Sequence, residues 1–271
     1  MIAWCNGALV DPEAPAVSVL DHGFTVGDGV FEAIKVVNNQ PFALTRHLNR
    51  LARSAQGMGL PKPDEGQVRR AVEQVLEVQH IGWGRIRITF TAGISPLGSN
   101  RANAAPTLVA VATEAEPYPA VSKVVTVPWP RNELGALAGL KSTSYGENVV
   151  ALAYAAERGG SEAIFANIAG NLCEGTGTNV FCVFDGQVVT PPLNCGCLAG
   201  ITRELVIEWC DVEERDVPMD EFAIADEVFL VSTTRDVQAV SHVDDRELGE
   251  GPVTAKVAEV WRTREPLDLD P

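Results

Sequence analysis

The sequence predicts a mixed α/β protein of α+β character, built as two domains around largely antiparallel or mixed sheets. Three observations carry this expectation. Strand-like and helix-like segments follow one another without the regular alternation of a doubly wound sheet. Neither a G-x-G-x-x-G fingerprint nor a P-loop occurs. Pro117 and Pro119 in "EAEPYPAV" interrupt the pattern and mark a linker over 116–120, between a domain at 1–115 and a second at 121–271.

The elements follow in order. "MIAWCNGALVD" reads as a hairpin with Asn6-Gly7 as its two-residue loop. "GVFEAIKVVNNQPFAL" gives two strands around a turn at Asn38-Asn39. "TRHLNRLARSAQGMGL" reads as a helix capped by Thr45, with Leu48, Leu51 and Ala55 as its apolar stripe and Gly57, Gly59 and Pro61 ending it. "DEGQVRRAVEQVLEVQ" is a second amphipathic helix. "GRIRITFTAG" alternates: Arg85, Arg87, Thr89 and Thr91 share one face, Ile86, Ile88 and Phe90 the other. "PTLVAVAT" is a further strand. Past the linker come a strand in "KVVTVPW", a helix after Lys141, strands in "SEAIFAN" and "NVFCVFDGQVVT", and a helix in "ITRELVIEWC". "DEFAIADEVFLVST" is a short helix running into a strand, and "GPVTAKVAEVWRTRE" is a last helix.

Charge narrows the function. With 21 Lys plus Arg against 36 Asp plus Glu, the net charge is −15, which repels nucleic acid and anionic membranes over most of the surface. An anionic ligand therefore needs a local cluster of arginine and backbone N–H donors. The six cysteines fit no zinc-site spacing and read as reduced, mostly buried small hydrophobes of a cytoplasmic protein. Neither a signal peptide nor a membrane span is expected.

Four segments can carry chemistry. Lys141, in "GLKSTSYGEN", stands ahead of an apolar helix; by itself it fits a solvated surface lysine. Glu174 sits in "NLCEGTGTNVF" between Cys173 and Gly175, either as a loop carboxylate facing water or as a partner for a cationic ring nitrogen. Gly200 precedes a helix opened by Ile201 and Thr202, whose free N–H groups and dipole suit phosphate, although Thr202 also reads as a plain cap. "FLVSTTRDVQAV" ends a strand in Ser232, Thr233 and Thr234, further donors for an anion. A lysine to form an imine, a carboxylate for a pyridine nitrogen and N–H and O–H donors for a phosphate are the parts that pyridoxal phosphate (PLP) needs.

The chain resembles the class IV aminotransferases, the fold-type IV PLP enzymes that include D-amino-acid and branched-chain aminotransferases, (R)-amine transaminases and aminodeoxychorismate lyase. The likeness runs through "DHGFTVGDGVFEAIKV", "RHLNRL", "GLKSTSYGENVVALAYA", "EGTGTNVF", "TPPL", "LAGITR" and "STTRDVQAV". It implies a two-domain fold with the cofactor in the interdomain cleft, and a homodimer. It implies Lys141 as the imine-forming and proton-moving lysine, Glu174 at the pyridine nitrogen, and Arg50, Ile201, Thr202, Thr233 and Thr234 around the phosphate. His47 and His22 read as structural.

The resemblance does not fix the substrate. The D-amino-acid enzymes carry a tyrosine and an arginine where this chain has Phe31 and Ala92. The branched-chain enzymes carry "FEGIR" and a tyrosine five residues after the lysine, whereas here Tyr145 falls four after Lys141. Arg87 and Arg101 are the expected contacts for a substrate carboxylate, with Phe31 and Tyr145 beside them; Arg85 and Arg87 also read as solvating an edge strand. The expected reaction is amino transfer from D-amino acids, with (R)-amines as a further donor class, to a 2-oxo acid. Aminodeoxychorismate lyase activity, giving 4-aminobenzoate and pyruvate, is the alternative, ahead of a branched-chain aminotransferase.

Overall fold

Two asparagine turns shape the first sheet. Asn6 (φ 46°) with Gly7 (φ 104°), and Asn38 (φ 48°) with Asn39 (φ 64°), adopt the left-handed pairs that tight hairpins require. The first joins β1 (Ala3–Cys5) to β2 (Ala8–Val10), and the second joins β3 (Gly29–Val37) to β4 (Gln40–Pro41). These elements come from a computed structural model that describes residues 1–249 and 251–271. With β5 (Trp83–Thr91) and β6 (Thr107–Glu114) they form an antiparallel sheet of order β2-β1-β6-β5-β3-β4. Along β5 the expected alternation holds: Ile86 and Ile88 are buried while Arg85 and Arg87 are exposed.

A four-residue helix, α1 (His22–Thr25), is capped by Asp21, whose Oδ1 accepts the Gly23 N–H at 2.8 Å. The longer α2 (Leu44–Gly57) and α3 (Glu65–Val78) pack apolar stripes into one core with the sheet, through Leu48, Leu51, Ala55, Val68, Val72 and Val75. Asp64 caps α3 by accepting the Gln67 N–H at 2.9 Å. The cap of α2 differs from expectation. Its N-cap is Ala43 in the left-handed region (φ 54°), with no side-chain cap, and Thr45 lies inside the first turn. The Thr45 N–H is taken instead by Asp270 Oδ1 at 2.8 Å, a carboxylate 225 residues away.

The chain divides into two compact units: Met1–Glu116 with Leu140–Tyr145 and Leu269–Pro271, and Pro117–Gly139 with Gly146–Asp268. The division at Glu116/Pro117 falls inside the expected linker. The expected second domain, however, gives two short segments back to the first unit. Residues 140–145 join it because they form a strap on β3: Thr143 N–H donates to Gly29 O at 2.8 Å and Phe31 N–H to Lys141 O at 3.0 Å.

The second unit holds a mixed nine-stranded sheet. Its strands are β7 (Val121–Thr126), β8 (Glu162–Ala166), β9 (Leu172–Gly175), β10 (Asn179–Phe184), β11 (Gln187–Thr190), β12 (Val212–Glu214), β13 (Glu227–Ser232), β14 (Asp236–Val243) and β15 (Arg246–Glu247). The order is β12-β11-β10-β13-β14-β7-β8-β9, with β15 on β14. The pairs β11–β12, β14–β7 and β7–β8 are parallel and the others antiparallel. The helices are α4 (Gly146–Glu157), α5 (Ile201–Trp209), α6 (Met219–Phe222) and α7 (Pro252–Arg264). One core cluster gathers Val180, Cys182, Phe222, Val228 and Leu230. All six cysteines are free, and all but Cys210 are buried. No helix among the described residues is long and apolar enough to cross a membrane.

The long-range cap on α2 has a measurable consequence. Asp270→Ala removes the acceptor for the Thr45 N–H and a negative charge at the helix start, and is expected to lower stability by about 1 kcal/mol in a denaturant melt.

Candidate active site

In the first unit the strap fixes Lys141 against β3. Its backbone N–H donates to Ser54 Oγ at 3.2 Å, and its carbonyl accepts from Phe31. The Thr143 hydroxyl donates to Gly27 O at 2.9 Å, and the Ser144 hydroxyl donates to the same carbonyl at 3.1 Å. The Lys141 side chain is half-buried rather than buried. Its Nζ lies 3.4 Å from the Tyr145 hydroxyl and 4.5 Å from the centre of the Phe31 ring. Phe31 and Tyr145 meet edge to face at 5.0 Å, and the Arg87 guanidinium lies 3.8 Å from the Phe31 ring centre. Lys141, Phe31, Tyr145 and Arg87 are therefore one cluster.

Arg101 is not part of it. Its Nε and Nη2 each donate to Asp28 at 2.6 Å, and its remaining contacts are the Met58 and Gly59 carbonyls that follow α2. Burial would raise the Asp28 carboxyl, but the Arg101 fork outweighs it and holds the group below its ordinary value. Arg101 is thus a clamp on the end of α2, and the expectation that it meets a substrate carboxylate does not fit this bonding.

Arg50 is buried on α2 and grips Glu32 through Nε (2.8 Å) and Nη2 (2.6 Å), while His47 Nδ1 stands 2.7 Å from the same carboxylate. Glu32 lies on the apolar strand β3 and is wholly buried. Burial alone would raise its pKa, yet Arg50 and His47 hold it at about 2. His47 is pushed below its ordinary value, chiefly by burial, against the pull of Glu32. The fork fixes the plane of the Arg50 guanidinium. Lys35, on the same strand, is buried with its Nζ 5.6 Å from the Phe42 ring centre. His22 is buried and its Nε2 donates to Pro96 O at 2.9 Å, a turn contact as expected.

In the second unit Glu174 lies on β9. Its Oε2 accepts the Leu198 N–H at 2.9 Å, and its Oε1 is 3.3 Å from Arg131 Nε. Arg131 lies over Phe165 at 4.1 Å and donates to Asn148 Oδ1 at 3.1 Å. Leu198 is tied a second time, its carbonyl accepting from Asn179 Nδ2 at 2.9 Å. This draws Glu174 to the segment that opens α5. Gly200 is the N-cap of α5 and supplies no side-chain cap; a Cβ there would fall 2.0 Å from Asn179 Oδ1. The first turn, with buried Ile201 and Thr202, keeps N–H groups that intrahelical bonds leave over. Asn179 pairs with Val231, so β10 places this cap beside the strand end that leads to Ser232, Thr233 and Thr234.

Each unit carries parts that PLP needs: the first an amine on a fixed strap, the second a carboxylate held by an N–H and an arginine and an uncapped helix start beside a hydroxyl-bearing turn. These are the donor types that a PLP enzyme needs. The sequence model of amino-transferase class IV matches residues 29–243, and the chain belongs to this PLP-dependent family. It is similar to a putative branched-chain-amino-acid aminotransferase of Methanocaldococcus jannaschii, at 32% identity over 97% of this chain and 96% of that one. It is also similar to a D-alanine aminotransferase of Staphylococcus haemolyticus, at 31% identity over 94% of each. Among solved structures, the branched-chain aminotransferase of Thermoproteus uzoniensis with norvaline matches at a TM-score of 0.91 and 31% identity, over 97% of this chain and 93% of that one.

Sequence reasoning missed Glu32, Arg131 and the Leu198 N–H. Glu32 left a signal: a carboxylate inside "VFEAIKV" needs a buried cation, and "RHLNR" supplies His47 and Arg50 one helical turn apart. Arg131 and Leu198 left none, because their bonding depends on long-range contacts.

The Glu32 network sets an acid limit. Its folded pKa of about 2 lies below the ordinary 4.5, so its contribution is full above about pH 4.5 and is lost as pH falls toward 2. Glu32→Gln is expected to lower stability at pH 7 by about 3 kcal/mol and to flatten the acid limb between those pH values, as read by denaturant melts across pH.

Proposed function

We propose that the protein is a transaminase that moves the amino group of D-amino acids to a 2-oxo acid, with (R)-amines as a second donor class. The observation that carries this reading is the cluster of Lys141, Tyr145, Phe31 and Arg87, a base beside a cation on one apolar wall. The kinship with D-alanine aminotransferases supports it.

When bound, PLP supplies an electron-accepting ring that acidifies the substrate Cα–H. Lys141 Nζ is the group that would hold the cofactor and take the Cα proton. The Tyr145 hydroxyl, 3.4 Å away, would steer that amine beside the Phe31 ring. Glu174, its position kept by Leu198 and Arg131, would accept the ring N–H of the cofactor. By the family resemblance, Arg50, Ile201, Thr202, Thr233 and Thr234 would hold the phosphate. Arg87 replaces the carboxylate donors that Phe31 and Ala92 cannot provide.

A second reading, branched-chain transamination, draws on the 32% identical relative and on the apolar Phe31 face. A homodimer accompanies either reading. Its support is the outward apolar face of α4, where Val149, Val150 and Leu152 are 65%, 55% and 41% exposed. A cytoplasmic location is also proposed, on the strength of the six free cysteines.

A donor panel with 2-oxoglutarate separates the reactions. D-Alanine should be consumed faster than L-leucine or L-isoleucine, and aminodeoxychorismate should yield no 4-aminobenzoate. Preference for the L-donors establishes the second reading; aminobenzoate formation without transfer from any D-amino acid identifies a lyase. Arg87→Ala should raise KM for the carboxylate donor about tenfold or more, with a smaller change for an amine that lacks a carboxylate.

A further inference from the structure

We infer that Glu162 and Arg235 form a positioning pair: one buried carboxylate that shapes the turn after Glu174 and, through Arg235, ties it to the turn bearing Thr233 and Thr234. Neither residue is among the proposed cofactor contacts. The inference rests on the PLP reading above and extends it to residues outside the cofactor-binding set.

Glu162 opens β8 and is buried, with 2% of its surface exposed. Its Oε1 accepts the Thr176 N–H and the Ala163 N–H, each at 3.0 Å, and also the Thr176 hydroxyl. The Thr178 hydroxyl donates to Oε2 at 3.4 Å. One carboxylate thus gathers both threonines of the turn that begins one residue after Glu174. The far side of the turn is held by Asn148, whose Nδ2 donates to the Thr176 carbonyl. The Gly175 N–H closes it on the Thr178 carbonyl at 2.8 Å. A Cβ at Gly175 would fall 2.1 Å from Thr178 Oγ1, so a larger residue there would push the Thr178 hydroxyl off Glu162.

Arg235 provides the countercharge. Its Nη2 lies 3.6 Å from Glu162 Oε2, and both side chains are buried. The guanidinium also donates to Gln238 Oε1 at 2.6 Å and to Ser161 O at 3.2 Å, and it lies 4.1 Å over the Tyr118 ring. Its own N–H donates to Ser232 O at 3.2 Å, closing the turn that carries Thr233 and Thr234. Arg235 therefore directly follows Thr234, and Glu162 holds Thr176, two residues after Glu174. Neutralising one member leaves the other as a buried charge without its counter-ion, and the two turns share that disturbance.

Titrating the full-length apoprotein with PLP, followed by protein fluorescence, tests this. Glu162→Gln and Arg235→Gln should each raise the Kd for PLP about tenfold, the cost of a lost charged partner. The double variant should be no weaker than the poorer single variant, because either change already removes the pair. Arg235→Lys, which keeps the charge, should recover part of the affinity. At saturating PLP the single variants should also shift the pH dependence of the cofactor absorbance, which a purely structural role would leave alone. If Glu162→Gln does not fold, Thr176→Val, which removes one donor to Glu162, takes its place with an expected rise of about threefold. Variants that bind within about twofold of the wild type, whatever their melting temperature, overturn the positioning pair alone. A wild-type protein that binds no PLP overturns both the pair and the reading on which it rests.

Discussion

The placement of Lys141 depends on two backbone hydrogen bonds. Thr143 N–H to Gly29 O and Phe31 N–H to Lys141 O bind a six-residue strap to the start of β3. Without them the lysine would belong to a loop of the later sequence, with no fixed relation to Phe31. With them, its amine stands beside two aromatic rings, and the helix that follows begins only after Tyr145. The strap continues the β3 edge that β4 covers only at Val36 and Val37, so an unpaired strand edge becomes the platform for the amine.

The interior charges follow one rule. Glu32, Glu162 and Glu174 are each held by donors that meet more than one of their lone pairs. Glu32 has Arg50 and His47; Glu162 has two threonine hydroxyls, two backbone N–H groups and Arg235; Glu174 has Leu198 and Arg131. Such groups contribute little net stability over an apolar alternative, yet they are costly to leave half-paired. Their value here is directional. They fix the guanidinium of Arg50, the turn after Glu174 and the carboxylate itself, none of which side-chain packing alone could orient.

Much of this was legible in the sequence. The asparagine turns, the stripes of α2 and α3, the alternation of β5 and the glycine-rich turn after Glu174 are local, and local geometry dictates them. The features that were not legible depend on distance along the chain. Thr45 looked like a cap because capping is read from neighbours, but the acceptor is Asp270. Residues 140–145 looked like part of the later domain because sequence order hides a strap. The strand Asp236–Val243 was hidden by Asp236, Gln238 and Ser241, which dilute its apolar pattern. Arg101 looked like a ligand for a carboxylate, and it is one, though the carboxylate belongs to Asp28.

The assignment of Lys141 is tested most directly by borohydride reduction of the PLP-loaded protein followed by peptide mapping. The chain has five lysines, Lys35, Lys62, Lys123, Lys141 and Lys256. A stable pyridoxyl adduct on Lys141 alone is the predicted result. An adduct on another lysine, with Lys141 unmodified, would contradict it.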